Sequence, residues 1–313
     1  MHTASALQIL KKTYGYDSFR DQQAEIIEHV VSGHNAFVLM PTGSGKSLCY
    51  QIPSICRNGV GIIISPLIAL MQDQVAALLQ LGIKAAAINS SMTASHIAAA
   101  IQAIRQGSID MVYVAPERLL MDDFLDMLAQ SPIALFAIDE AHCVSQWGHD
   151  FRPHYVQLSQ LAGRFPDVPR IALTATADDQ TRKDIVERLG LRDGKTFLGG
   201  FDRPNIHYST VIKDNPKQQL LRFIRETHMG HSGIVYCLSR KAVDETAAWL
   251  AAEGFNALPY HAGMSGDERA RNQQKFLRDD AVIIVATIAF GMGIDKPNVR
   301  FVAHMTVPKN IEA

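Results

Sequence analysis

The sequence predicts an α/β protein made of two doubly wound parallel-sheet domains in tandem. Short β-branched runs alternate with helical stretches along all 313 residues. The runs are nearly continuous in apolar residues, as strands buried on both faces are. The pattern then restarts just after Gly199 and Gly200. Alternation of this kind builds a parallel sheet covered by helices on both faces.

In the first half the predicted strands are 36–40, 60–64, 85–88, 111–114, 134–138 and 170–173, with helices such as 69–81 and 94–106 between them. In the second half they are 233–237, 256–258, 281–286 and 300–304, with helices at 241–253 and 267–278. The boundary falls ahead of Phe201-Asp202-Arg203-Pro204-Asn205, giving domains of 1–199 and 200–313. Two domains also fit the length, and no short repeat or low-complexity tract interrupts them.

Composition narrows the function classes. Hydrophobic residues make up 47% and charged residues 19%, which is a globular balance with room for sizeable cores. The formal net charge of −1 gives no global sign of nucleic-acid binding, so any such surface is local. Cys49, Cys56, Cys143 and Cys237 form no CxxC pair, which argues against a zinc ribbon or disulfide framework and for reduced thiols in the cytoplasm. The N-terminal stretch MHTASALQILKKTYGYD lacks a secretory pattern, and the apolar run 281–290 is too short to span a bilayer.

Strand 36–40 runs into Pro41-Thr42-Gly43-Ser44-Gly45-Lys46-Ser47, where a helix begins. Glycines let backbone N–H groups converge on a phosphate, and the helix N-terminus adds its dipole. Lys46 is placed to reach the β- and γ-phosphates of ATP, and Ser47 to offer a hydroxyl to Mg²⁺. Met40 stands where the strict pattern has glycine. The bland alternative is a glycine-rich turn. Strand 134–138 ends in Asp139-Glu140-Ala141-His142. An Asp at a strand tip suits the Mg²⁺ shell, and the next Glu suits orienting and activating water. Taken alone, the pair also reads as carboxylates at a helix N-terminus.

Together with Leu173-Thr174-Ala175-Thr176-Ala177, these segments resemble superfamily 2 helicases, and further segments resemble the RecQ family of DNA helicases. The resemblance implies two RecA-like domains and a catalytic set of Lys46, Asp139, Glu140 and His142. Phe19-Arg20 with Gln23 resembles the adenine-recognition motif, in which Gln23 reads the base edge while Tyr16 and Arg20 flank the ring. Thr42, Gly43, Ser44 and Gly45 complete the phosphate loop. Ser65-Pro66-Leu67-Ile68-Ala69-Leu70 with Asp73-Gln74 resembles motif Ia, a DNA-backbone contact, and Ala115-Pro116-Glu117-Arg118 resembles motif Ib. Segment 143–153 (CVSQWGHDFRP) resembles the family's aromatic-rich loop, which couples DNA contact to hydrolysis. It places Gln146, Trp147, His149, Phe151 and Arg152 on DNA. Aromatic faces stack on bases and Arg152 adds charge. On the residues alone, Trp147 and Phe151 also read as core anchors.

In the second half Tyr236-Cys237 with Ser239-Arg240 resembles motif IV. Tyr260-His261-Ala262-Gly263 and segment 286–297 (ATIAFGMGIDKP) resemble the stretches through motif V, with Asp295 near the nucleotide. Asp295 also reads as a turn residue before Lys296-Pro297. The family continues past Ala313 into a Gln-x-x-Gly-Arg-x-Gly-Arg segment, motif VI. The second domain is therefore expected to be incomplete at its C-terminus, with a sheet edge uncovered. The expected function is an ATP-dependent 3′→5′ DNA helicase core acting in repair and recombination. It would be a monomer that uses ATP and Mg²⁺ and engages single strands and duplex junctions. The alternative is a nucleotide-gated DNA-binding fragment, because arginine fingers contribute roughly 10³–10⁵ in rate. An RNA helicase is a third reading, against which the loop at 145–153 argues. His142, Cys143, His149 and His154 fit no usual zinc spacing, so no zinc is expected.

Overall fold

The computed structural model describes residues 2–90, 92–147, 150–200, 205–287, 290 and 296–306. The chain divides into two compact units, Met1–Arg203 and Pro204–Ala313.

Among the described residues the first unit contains strands β1 (Ala36–Leu39), β2 (Val60–Ile64), β3 (Ala85–Ile88), β4 (Met111–Val114), β5 (Ile133–Ile138), β6 (Arg170–Thr174) and β7 (Lys195–Leu198). They form one parallel sheet in the order β3-β4-β2-β5-β6-β1-β7. Side chains alternate across it. Phe37, Ile62, Ile64, Val112, Val114, Phe136 and Ile138 enter one core, and Val38, Ile63, Met111, Tyr113, Leu135 and Ala137 enter the other. Both faces are buried, which is why the strands read as unbroken apolar runs.

The chain leaves β1, passes over two positions to β2, and later fills them with β5 and β6. That order brings the carboxyl ends of β1, β6 and β5 side by side at the switch in winding direction. Ligands of open α/β sheets bind at such a point.

In the second unit β8 (Ser232–Tyr236), β9 (Asn256–Tyr260), β10 (Val282–Ala286) and β11 (Val299–His304) make a parallel sheet in the order β11-β8-β10-β9. Ile283 and Val285 of β10 face a core with Leu250 and Phe301, whereas Val282, Ile284 and Ala286 face Phe276 and Phe290. Phe301 lies over Gly233, where a Cβ would strike its ring.

Two differences from the sequence expectation have local causes. The strand expected from 281 starts at Val282, because Ala281 is left-handed at φ 56°. Strand β7 was not expected, because only Phe197 of its four residues is buried. Among the described residues no helix is long and apolar enough to cross a membrane.

Candidate active site

The loop after β1 is shaped by two left-handed glycines, Gly43 at φ 80° and Gly45 at φ 79°. L side chains avoid this conformation, and at Gly45 a Cβ would also collide with the Gln23 amide. Thr42 and Gly43 stand exposed at the loop's tip. Ser44 Oγ donates to Pro41 O at 2.6 Å. Lys46 Nζ donates to Met40 O at 3.0 Å and Pro41 O at 3.2 Å, folded back over its own loop. Ser47 precedes the helix Leu48–Cys56.

Gln23 opens the helix Gln23–Val31 and is buried. Its Oε1 accepts from Arg20 N at 3.0 Å, and its Nε2 donates to Ser44 O at 3.1 Å and Gly45 O at 3.2 Å. Tyr16 is half exposed, with the Arg20 guanidinium 5.8 Å from its ring centre. The segment expected to recognise adenine is thus fastened to the backbone of the phosphate loop.

Beyond β5, Asp139 N donates to Ile64 O at 2.9 Å and the carboxylate accepts from Glu140 N at 3.0 Å. Tyr155, fully buried, donates its hydroxyl to Asp139 O at 2.9 Å. Glu140 is left-handed at φ 48°, an uncommon state for a residue with a side chain. Burial raises the Asp139 carboxyl above its ordinary range, with Lys46 opposing. Burial, and then the Asp139 charge, push Glu140 up to about 7, again with Lys46 opposing.

His142 is buried, its Nδ1 2.8 Å from Thr174 Oγ1 and 3.3 Å from Glu140 Oε2. The Thr174 hydroxyl also lies 3.1 Å from Thr176 O and accepts from Thr176 N at 3.2 Å. The motif after β6 is in this way wired to the carboxylate after β5.

The donor set suits the expected ligands. Two left-handed glycines shape the loop, and at Gly45 there is no room for a Cβ beside the Gln23 amide. Asp139 is a buried carboxylate whose charge a cation would relieve. Ser47 and Asp139 offer hard oxygens, and Mg²⁺ is commonly held by one or two carboxylates plus phosphates. Among the described residues no group of three or more His, Cys, Asp or Glu is arranged to hold a metal by itself.

On the nucleic-acid side, Gln146 is exposed, Trp147 is 70% exposed and Phe151 is 37% exposed. Trp147 is therefore no core anchor. Its backbone N–H donates to Ser145 Oγ at 3.2 Å, and that hydroxyl donates to Asp184 at 2.8 Å. Arg152 reaches Asp150 through Nη2 at 2.9 Å and Nε at 3.1 Å, and Pro66 O through Nη1 at 3.1 Å, tying the aromatic loop to the segment after β2. Arg118 pairs with Asp123 at 3.6 Å and lies over the Phe124 ring. One expectation is corrected. Ser65 is buried, with its hydroxyl turned toward Leu67 N, so it presents no side-chain surface for DNA. His149 and Asp295 lie outside the described residues. Tyr155 was missed by the motif reading. Its only signal was an aromatic residue two positions after Pro153.

The model for DEAD/DEAH box helicases matches residues 20–185, and that for the helicase conserved C-terminal domain matches 215–313. The ATP-dependent DNA helicase RecQ of Haemophilus influenzae is 48% identical over 309 residues, 99% of this chain and 50% of that protein. The Bacillus subtilis protein of the same name is 42% identical over 315 residues, 100% of this chain and 53% of its own length. The chain thus spans about half the length of these curated relatives. The structure of Mycobacterium smegmatis helicase Lhr bound to single-stranded DNA and AMP-PNP has a TM-score of 0.68 at 19% identity, over 96% of this chain and 43% of that one. That likeness shows the fold, two RecA-like α/β units. With both family models matched in order and nearly the whole of this chain aligned to RecQ sequences, the chain belongs to the DEAD/DEAH box helicase family, on its RecQ branch.

Proposed function

We propose that this chain is the motor core of an ATP-dependent 3′→5′ DNA helicase, which spends ATP hydrolysis on translocation and unwinding during repair and recombination. The observation that supports this best is a joined set of contacts within one unit. Gln23 holds the phosphate loop, His142 joins Glu140 to Thr174, and an exposed Trp147 loop is tied through Arg152 to Pro66.

In this reading Gln23 meets the adenine edge, with Tyr16 and Arg20 against the ring. Lys46 exchanges two backbone carbonyls for β/γ-phosphate oxygens, and the N–H groups of Thr42 to Ser47 surround them. Mg²⁺, when bound, neutralises phosphate charge as the γ-phosphoryl group transfers to water. Ser47 and Asp139 are the residues placed to hold it. Glu140 orients the attacking water and accepts its proton, and His142, 3.3 Å from Glu140 Oε2, helps to position that carboxylate. Gln146, Trp147 and Phe151 meet bases of a single strand, while Pro66, Arg118 and Arg152 approach its backbone. The free cysteines, three of them buried, favour a reducing cytoplasm, where we place the protein as a monomer.

The test is single-turnover ATP hydrolysis with and without single-stranded DNA, together with strand separation on a 3′-tailed duplex. Single-stranded DNA should accelerate turnover, and Lys46→Ala should lower it by at least about tenfold by removing a charge-assisted phosphate contact. A folded Lys46→Ala protein that hydrolysed ATP at the parental rate would refute the site. Turnover indifferent to DNA would refute the motor.

A further inference from the structure

The helix Leu48–Cys56, which opens from the phosphate loop, carries Gln51 on its inner side at 4% exposure. A buried amide is costly unless its hydrogen bonds are met, and an aliphatic residue of similar size would fill the space without that demand. Here both amide N–H groups and the amide oxygen have a partner. Gln51 Oε1 accepts from the Tyr14 hydroxyl at 3.1 Å. Its Nε2 donates to Gln74 Oε1 at 3.0 Å and to the Tyr113 hydroxyl at 3.1 Å, and Tyr113 passes its proton on toward Tyr50 at 3.4 Å. Burial pushes the Tyr113 phenol up to about 12, so the hydroxyl stays a donor.

The partners come from different functional quarters of the unit. Tyr14 ends the helical segment before Tyr16. Gln51 lies one turn beyond Ser47. Gln74 sits on the helix Ile68–Gln80, which starts just after Pro66, the acceptor for Arg152. We infer that Gln51 is a positioning residue whose side-chain amide makes the phosphate-loop helix and the helix at 68–80 move as one body. This rests on the nucleotide and nucleic-acid sites proposed above. The physical reason is directional: a hydrogen bond weakens steeply once its partners slide apart or tilt, whereas an apolar contact lets two helices slip. Nucleotide on the loop thereby reaches the segment expected to grip the DNA backbone.

The experiment is hydrogen–deuterium exchange of the whole chain, with and without saturating Mg²⁺ and AMP-PNP, in parent and Gln51→Leu proteins. In the parent, the analogue should slow exchange within 68–80 by at least about fivefold, as expected when a local opening is suppressed. In Gln51→Leu that response should fall below about twofold while affinity for the analogue stays within about threefold. Gln74→Met breaks the same link from the other helix. It should give the same loss and stands in if Gln51→Leu does not fold. A folded variant that kept the full response at 68–80 would overturn the inference. So would loss of the response in step with loss of AMP-PNP binding, because Gln51 would then only support the site. A parent that fails to bind AMP-PNP refutes the nucleotide site itself, and the inference falls with it.

Discussion

Glu140 combines a left-handed backbone, a partly buried carboxyl and a neighbouring carboxylate. Its folded-state pKa of about 7 lies above the ordinary value of 4.5. A carboxyl raised in this way contributes stability that is complete below the unfolded value and is lost as pH rises through the folded one. Asp139 shifts in the same direction. The nucleotide-free protein should therefore lose a few degrees of melting temperature between about pH 4.5 and pH 7, and Glu140→Gln should lose less. Differential scanning fluorimetry across that window decides it, and identical slopes would contradict the burial account. Trp147 sits at the other extreme of exposure. Trp147→Ala should change stability by less than about 0.5 kcal/mol, as surface substitutions do. It should weaken single-strand binding by about 1–3 kcal/mol, the worth of one stacked base. Calorimetry and an oligonucleotide titration measure the two, and a stability loss of about 3–5 kcal/mol would mark a core aromatic instead.

Elements differ in how openly the sequence announces them. Strands β1, β2, β4, β5 and β6 carry alternating side chains into two cores, so nearly every position is apolar, Arg170 and Thr174 at the ends of β6 apart, and the runs stand out. Strand β7 pairs with β1 but buries only Phe197, so Lys195 and Thr196 disguise it. The phosphate loop and the Asp-Glu pair were legible because their residue types are dictated by chemistry at fixed spacing. Tyr155 and Gln51 were not, because each acts through hydrogen bonds to residues distant in sequence. Within the loop, Gly45 meets two constraints at once, its φ of 79° and the Gln23 amide in the space of a Cβ. Gly45→Ala should destabilise the unit by at least about 1 kcal/mol, the usual cost of a left-handed residue. It should also weaken ATP binding by displacing Gln23. Normal nucleotide affinity in that variant would mean the loop tolerates a different path.

At the scale of the molecule, every residue assigned to the nucleotide except Asp295 lies within the unit Met1–Arg203. That unit has its own sheet and three apolar cores, the features that let a domain fold alone. Residues 1–203 expressed alone should bind Mg·ATP within about tenfold of the whole chain, yet show no DNA-driven acceleration of turnover. Isothermal titration and a steady-state assay of the two proteins give the answer. Accelerated turnover by the first unit alone would remove the second from the mechanism.

The exposure of Trp147 has a practical consequence in spectroscopy. The chain holds two tryptophans, and the other, Trp249, is partly sheltered on the helix Arg240–Ala252 with Lys217 Nζ 5.4 Å from its ring centre. Water-facing indole emits at longer wavelength than sheltered indole, and a base laid flat on it quenches the emission. The long-wavelength edge of the intrinsic fluorescence therefore belongs largely to the aromatic loop. With no dye attached, the unmodified protein would signal its own occupancy by a single strand as a dimming and blue shift, on the timescale of a stopped-flow mixer.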